Sequence, residues 1–335
     1  MSLAPSDTPP TGQGKRLKLL VAVLTRQRPK MLRELLASWA QCTVPAGCEI
    51  EFAIIENDAE PWSRPVAEKF SGMLPGKLTY VVEPRRGIPF GRNAAASMAV
   101  ERGFDLLAFI DDDEIADRNW ILALVTRYRE SSAMLIGGPV IAVADVERMS
   151  FWRRMLFKGI EHRYRQKAVK NAAGFSNPTW PLPTIITNNW MADVDLFTVH
   201  HMKFDESLVL SGGSDASFDR SVSAKGLSKA WAEDARVYEQ IPAERISFRY
   251  QFQRGRDQSI ASARRKRKHA GLFPLITLPL VVLFRSAGML AAAVSIPFLG
   301  GPAVISLARS SGWLCGRLIA LAGGESRLYE KTTGE

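Results

Sequence analysis

Cysteine is scarce in this chain: Cys42, Cys48 and Cys315 are the only three in 335 residues. They supply neither a disulfide framework nor a metal site with paired spacing. Cys42 and Cys48 stand close enough in sequence to pair, and a reduced cytosolic compartment is the plainer reading. Of the four histidines, His162, His200 and His201 have no metal-ligand spacing and read as surface or structural groups. No Ser-His-Asp or Cys-His arrangement is visible, so a Ser or Cys nucleophile has no candidate. Glycine is missing from Thr25 to Pro29, where a phosphate-cradling loop would follow the first strand. Met1 to Arg16 is rich in Pro, Ser, Thr and Gly but holds no apolar run. It reads as a flexible leader rather than a signal peptide.

What is present describes a folded, basic protein. Apolar residues make up 46% and charged residues 23%, the balance of an ordinary globular chain. The length allows one large α/β domain with appendages, or two domains. Net charge is +10, from 44 basic and 34 acidic residues. The excess is concentrated in Arg148–Lys170 and in Arg245–Lys268, which ends in Arg264-Arg265-Lys266-Arg267-Lys268. Nucleic acid would attract such charge. A basic cluster abutting an apolar segment fits the anionic cytoplasmic face of a membrane better, and no nucleic-acid partner is expected.

The apolar segment is interrupted. Leu272–Phe284 is 13 residues long, and Ser286–Ala308 gives 23 uncharged residues that include Pro297, Gly300, Gly301 and Pro302. A simple spanning helix needs roughly 20 apolar residues. The tail is therefore expected as a kinked hairpin, a single span or an interfacial segment, with Arg285, Arg309 and Arg317 favouring shallow insertion. A hydrophobic helical pair packed on the soluble domain is the alternative.

Residues 17 to 145 read as alternating strands and helices. Leu17–Leu24 is a continuous apolar run, as in a strand buried on both faces. Arg28-Pro29 opens a helix to about Ala40, with Met31, Leu32, Leu35, Leu36 and Trp39 at helical spacing. Strands follow at Glu51–Ile55, Leu78–Val82 and Leu106–Ile110, and helices at Trp62–Phe70, Arg92–Arg102 and Asn119–Glu130. This alternation predicts a mostly parallel, doubly wound sheet, whose ligands bind at the carboxyl ends of strands. Thr25-Arg26, Glu56-Asn57-Asp58, Gly87 and the acids after Ile110 all fall at such ends.

The most informative stretch is Leu107-Ala108-Phe109-Ile110-Asp111-Asp112-Asp113-Glu114. Read as a strand, it sets Asp111 and Asp113 on one face. Adjacent carboxylates repel, so a compensating cation is expected, and Mg2+ or Mn2+ bound to a substrate phosphate fits hard oxygen ligands. An acidic turn capping the next helix is the alternative. Further on, Gly212-Gly213-Ser214-Asp215 precedes a helix at Ala216–Lys225 that ends at Gly226. Asp215 reads as that helix's N-cap, as a general base, or as both. Trp180 and Trp190 either stack on a ligand or fill the core.

Seven segments occur in order: Val23 to Pro29; Ile55-Glu56-Asn57-Asp58; Glu83 to Ala95; Phe109 to Glu114 with Trp120-Ile121; Thr187-Asn188-Asn189; Phe204-Asp205-Glu206; and Gly212 to Asp215. Together they resemble a family 2 glycosyltransferase of the GT-A fold, closest to the bacterial exopolysaccharide branch of succinoglycan type. The resemblance covers about residues 17 to 260. It implies a Rossmann-like, mostly parallel α/β sheet with helices on both faces, followed here by the hydrophobic helical tail. It also implies a nucleotide-sugar donor, a divalent metal and inversion at the anomeric carbon.

Carried over by position, the resemblance places Thr25 and Arg26 at the nucleobase. Glu56, where the family has Asp, and Asn57 stand at the uracil edge. Gly87, Arg92 and Asn93 lie along the donor. Asp111 and Asp112 stand at the ribose or the metal's outer shell, and Asp113, with Asp111, holds the metal. Asp215 occupies the position of the base, preceded by Ser214 where the family commonly has Glu. The divisions expected are a leader at 1–16, a nucleotide-sugar half at 17–145, an acceptor half at 146–260, membrane-associating helices at 261–324, and a short end at 325–335. The implied enzyme transfers one sugar, from a UDP-linked donor, to a saccharide or lipid-linked saccharide at the cytoplasmic face of the inner membrane. A processive polysaccharide synthase would need several spanning helices, and a nucleotidyltransferase would need the absent glycine-rich loop.

Overall fold

The computed structural model describes residues 16–177, 182–209, 213–270 and 278–324, with 264–270 described by backbone alone. The leader before residue 16, Trp180, Gly212 and the start of the apolar tail lie outside the described residues.

The first strand, β1 (Leu17–Thr25), explains the central layer. Its side chains alternate. Leu19, Val21 and Val23 join Leu32, Leu35, Leu36 and Trp39 of α1 (Pro29–Trp39) on one side. Leu20 and Ala22 join Ala95, Ala96 and Ala99 of α3 (Ile88–Glu101) on the other. A strand apolar at every position therefore feeds two cores. Each fully buried Leu or Val contributes about 1.5–3 kcal/mol relative to exposure.

Between these helices β1 pairs in parallel with β2 (Cys48–Glu56) and with β4 (Leu106–Asp111). The edge strand β3 (Lys77–Val82) extends β2 in the same sense, after α2 (Arg64–Phe70). On the far side of β4 the order continues with β8 (Asn189–Asp193), β6 (Leu135–Gly137) and β9 (Lys229–Trp231). Strand β8 runs antiparallel to both β4 and β6, so Asn189 lies opposite Ile110 at the carboxyl edge. A small second sheet joins β5 (Glu114–Ala116), β10 (Val237–Gln240) and β7 (Val140–Val143).

Three expectations shift. The helix expected from Arg92 begins at Ile88, with Gly87 as its N-cap at φ 137° and Pro89 in its first turn. Only glycine accepts that φ, and a Cβ there would approach Val209 Cγ1 to 2.6 Å. The acidic run does not cap α4 (Trp120–Ser131), because β5 intervenes and Asn119 is the cap. The helix expected from Ala216 starts at Ser214, so α7 (Ser214–Ala224) has Gly213 as its N-cap and Asp215 in its first turn.

The C-terminal part is a helical layer. The long α5 (Phe151–Ser176) precedes β8, and the short α6 (Asp195–Thr198) follows it. After β10 come α8 (Phe248–Ala270), α9 (Leu278–Leu299) and α10 (Gly301–Leu321). Residue 261, the expected start of a separate membrane segment, falls inside α8. The chain reverses at Gly300, φ 54°, so α9 and α10 form a hairpin. Ile305 of α10 joins Phe157, Ile160, Ile241 and Ile246 in a third core cluster. A Cβ on Gly301 would strike the Met155 carbonyl, so glycine lets α10 lie against α5. By contrast α9 is long and apolar enough to cross a membrane, with mean hydropathy 1.8, and is almost wholly exposed.

Candidate functional site

The register of the sheet assembles the site. Thr25 pairs with Glu56, and Leu24 with Asp111, so the ends of β1, β2 and β4 are level. Strand β4 stops at Asp111, and Asp112-Asp113 form the turn into β5. The alternation that set Asp111 and Asp113 on one face therefore ends at Asp111, and the three aspartates find different partners.

Arginines supply much of the compensation that adjacent carboxylates require. Asp112 is buried; it accepts from Thr25 Oγ1 at 2.9 Å and from Arg28 Nη1 at 2.8 Å. Asp113 Oδ2 lies 3.4 Å from Arg245 Nη1 and 3.8 Å from Arg28 Nη1. Arg28, expected as the residue that opens α1, is mostly buried between these two acids. Glu114 is buried as well. It accepts from the Asp111 N–H at 3.0 Å and from Asn188 Nδ2 at 2.9 Å.

Asp111 differs from the others, because its side chain stays 47% open. Its strongest cationic contact is Arg92 Nη2, at 3.9 Å. Arg92 is itself 5% exposed, and its Nη1 donates to Asp215 Oδ1 at 3.1 Å and to Ser214 Oγ at 3.2 Å. One buried guanidinium thus holds Asp111 and Asp215 at the same cleft, with the Phe204 ring beneath it at 5.6 Å.

Electrostatics separate the two acids that share Arg92. Desolvation by the protein packed around the half-open Asp111, resisted by Arg92 and reinforced by Asp113, Asp215 and Asp112, pushes it up to about 7. Burial also acts upward on Asp215, but Arg92, a backbone N–H and the Ser214 hydroxyl outweigh it and hold it below the ordinary carboxylate range. Burial likewise lifts Asp112 to about 6, against Arg28. Glu114 is raised well above its ordinary value by burial and then by Asp111, Asp113 and Glu239.

Other expected donor residues turn out to hold the loops that line the cleft. Asn57 is buried; it donates to the carbonyls of Arg85, at 2.7 Å, and Glu83, and accepts from the Gly87 N–H at 2.9 Å. Asn93 donates to the Phe204 carbonyl at 3.0 Å and to Glu206, and accepts from the Phe204 N–H at 2.9 Å. Arg26 and Gln27 both donate to Asp58, at 3.2 and 2.6 Å. Glu56 is a correction to the expected uracil contact. It is fully buried, accepts from Ser63 N–H at 2.9 Å and Tyr80 OH at 3.1 Å, and presents nothing to the cleft. Thr25 is also buried, its hydroxyl spent on Asp112. Trp190 is core, packed among Phe109, Phe204 and Phe218.

Sequence reading missed Arg245, Glu239 and Asn188 as parts of this cluster. Arg245 was grouped with the basic stretch, yet it is nearly buried and bonds both Asp113 and Glu239. Glu239 lies opposite Glu114 across the small sheet and accepts from Tyr164 OH. Alternation in Val237–Gln240 is the signal that could have placed an inward acid there. Cys42 and Cys48 are free and buried, and burial pushes the Cys42 thiol up to about 12.

The donor set suits a hard divalent cation. Asp111 offers open carboxylate oxygens two positions from Asp113, and the neighbouring acids push it up. Among the described residues no group of three His, Cys, Asp or Glu side chains forms. A Mg2+ or Mn2+ that takes one or two carboxylates together with substrate phosphates needs no third protein ligand.

Residues 20–199 match the family described as Glycosyl transferase family 2. The succinoglycan biosynthesis protein ExoM of Rhizobium meliloti (strain 1021) is 28% identical over 234 residues, 69% of each chain. Among solved structures, S. aureus TarS 1-349 in complex with UDP covers 92% of each chain at 13% identity and TM-score 0.50. The mannosyltransferase PcManGT from Pyrobaculum calidifontis, in complex with GDP-Man and Mn2+, covers 96% of this chain and 92% of its own at 15% identity and TM-score 0.58. At those identities the two structures bear on the fold alone, which they give as GT-A.

Proposed function

Because the chain belongs to glycosyl transferase family 2, we propose that it is a metal-dependent, inverting enzyme that moves one sugar from a UDP-linked donor to a lipid-linked saccharide. The observation that carries this reading is the sharing of buried Arg92 between Asp111 and Asp215. It ties a diphosphate-side acid and an acceptor-side acid to a single cleft.

The chemistry is a single displacement. The acceptor hydroxyl oxygen bonds to the anomeric carbon, and its proton passes to the Asp215 carboxylate. The bond from that carbon to the donor diphosphate breaks, and the electron pair leaves with the diphosphate. Arg92 keeps Asp215 ionised and aims it, so Arg92 acts as a positioning residue. Asp111 and Asp113 would hold Mg2+ or Mn2+, which when bound would offset the charge gathering on the leaving diphosphate. Arg28 and Arg245 set the Asp112-Asp113 turn, and Asn57 and Asn93 fix the flanking loops before substrate arrives. Exopolysaccharide assembly at a membrane is supported by the likeness to ExoM and by the exposed α9; the cytoplasmic face is proposed because the basic cluster beside the apolar tail suits an anionic cytoplasmic leaflet.

The test is a panel of nucleotide sugars screened by thermal shift with and without Mn2+. UDP with Mn2+ should raise the melting midpoint of wild type, and Asp111→Asn and Asp113→Asn should abolish the metal-dependent part. Equal stabilisation of both variants would remove the metal assignment.

A further inference from the structure

The two basic stretches do not present one outward face. Arg163 and Lys167 on α5, Arg254 on α8 and Arg309 on α10 converge on a cavity of about 360 Å3. Arg163 and Lys167 stand one helical turn apart, so they share a face. Asn188 and Glu239 also line the cavity. These same residues bond Glu114 and Arg245 of the acidic cluster, so cavity and cleft adjoin.

The charges in this cavity are not balanced. Among the described residues none of the four cations has an ion-pair partner. Arg309 bonds only the neutral amides of Gln251, at 2.9 Å, and Gln258. The one acid in the lining, Glu239, already accepts from Tyr164 and Arg245. Burial and then the charge of Arg254 lower both Arg163 and Lys167, although Glu239 and Tyr164 work against this. Four cations around a single acid that is already bonded to Tyr164 and Arg245 are a configuration that a multivalent anion relieves. Guanidinium groups around a pocket favour phosphate oxygens in particular.

A second feature says what the anion is attached to. Arg163 and Lys167 also border a larger groove, of about 1030 Å3, whose opposite wall is apolar: Ala291, Ala292 and Leu299 of α9 and Ala303 of α10. The same helix α9 exposes Leu283, Phe284, Leu290, Val294 and Phe298 outside the groove's lining. The apolar groove, the cations and the acidic cluster therefore adjoin in that order, through Arg163 and Lys167 on one side and Asn188 and Glu239 on the other. That order matches an amphiphile with a hydrocarbon chain, a phosphorylated head and a sugar beyond it.

We propose that the cavity of Arg163, Lys167, Arg254 and Arg309 binds the phosphate or diphosphate linker of a lipid-carried acceptor. The apolar groove of α9 and α10 takes the first part of its hydrocarbon chain. The sugar end alone rests on the glycosyl-transfer reading above; the anion site and groove do not.

Binding of farnesyl diphosphate to the full chain tests this without knowledge of the sugar. Wild type should bind it at least about tenfold more tightly than the double variant Arg163→Gln/Lys167→Gln, and at least about tenfold more tightly than it binds farnesol or inorganic diphosphate. Arg254→Gln should weaken it in the same direction, and a wild-type melting midpoint for the double variant shows that the fold is intact. Binding of farnesyl diphosphate unchanged by the double variant overturns the proposal. Farnesol binding as tightly removes the anion site, and inorganic diphosphate binding as tightly makes it a free-anion site. Displacement of farnesyl diphosphate by UDP would give the cavity to the donor. Loss of adsorption to phosphatidylglycerol vesicles alone would reduce it to a membrane-surface patch. UDP binding with Mn2+ is measured in parallel. Its failure beside intact farnesyl diphosphate binding strikes the donor reading and leaves the cavity assignment standing.

Discussion

Two charged regions meet at Arg245 and Glu239 and differ in how folding treats them. At the sheet edge the acids have arginines: Asp112 has Arg28, Asp113 has Arg28 and Arg245, and Asp111 and Asp215 share Arg92. In the helical layer Arg163, Lys167, Arg254 and Arg309 gather with no acid of their own. In the first region the fold sets an arginine within 4 Å of each aspartate but leaves a net excess of acid. The second leaves positive charge for something the chain does not carry. Charge-removing substitutions should therefore act with opposite sign on the two sides, because breaking a buried pair strands a charge whereas thinning a like-charged cluster relieves repulsion.

The largest effect is expected at Asp215. Asp215→Asn should keep donor affinity and lower transfer by about 10²–10⁴-fold, the usual contribution of a positioned base; retained turnover would remove Asp215 from that role. Next comes Arg92→Met, which leaves Asp111 and Asp215 without their shared partner. Urea denaturation should show a loss of about 3–5 kcal/mol, and a loss below about 0.5 kcal/mol would mean the two acids are not held by Arg92 at all. The smallest effect belongs to the basic cavity. Lys167→Gln should leave the melting midpoint where it is or raise it slightly, within about 0.5 kcal/mol of stability. A clear drop would show that Lys167 is balanced by the fold, and the contrast between the regions would fail.

The parts of this architecture legible in sequence are those set by short-range pattern. The apolar run of β1, the helical stripe of α1 and the abrupt change from Ile110 to Asp111 place three strand ends and the acidic rim without any tertiary knowledge. What stayed hidden depends on distance along the chain. Arg28 reaches Asp112 across 84 positions, Arg92 reaches Asp215 across 123, and Arg245 reaches Asp113 across 132. No local pattern distinguishes these arginines from solvated ones. The antiparallel entry of β8 beside β4 is hidden for the same reason, as is the small sheet that sets Glu239 against Glu114. Glu56 misled because its position at a strand end is right while its side chain turns inward to Ser63 and Tyr80. The cavity cations were visible as charge but not as a face, although Arg163, Lys167 and Asn171 recur at helical spacing along α5 and all line it.

The most direct test of the acidic rim as the place where donor diphosphate and cation meet is anomalous scattering from a crystal soaked with UDP and Mn2+. The account requires a manganese peak bonded to an Asp111 or Asp113 carboxylate oxygen, at about 2.1 Å for an octahedral divalent ion, with the diphosphate on its other side. Manganese bound elsewhere, or UDP seated with no cation near those two residues, would contradict it.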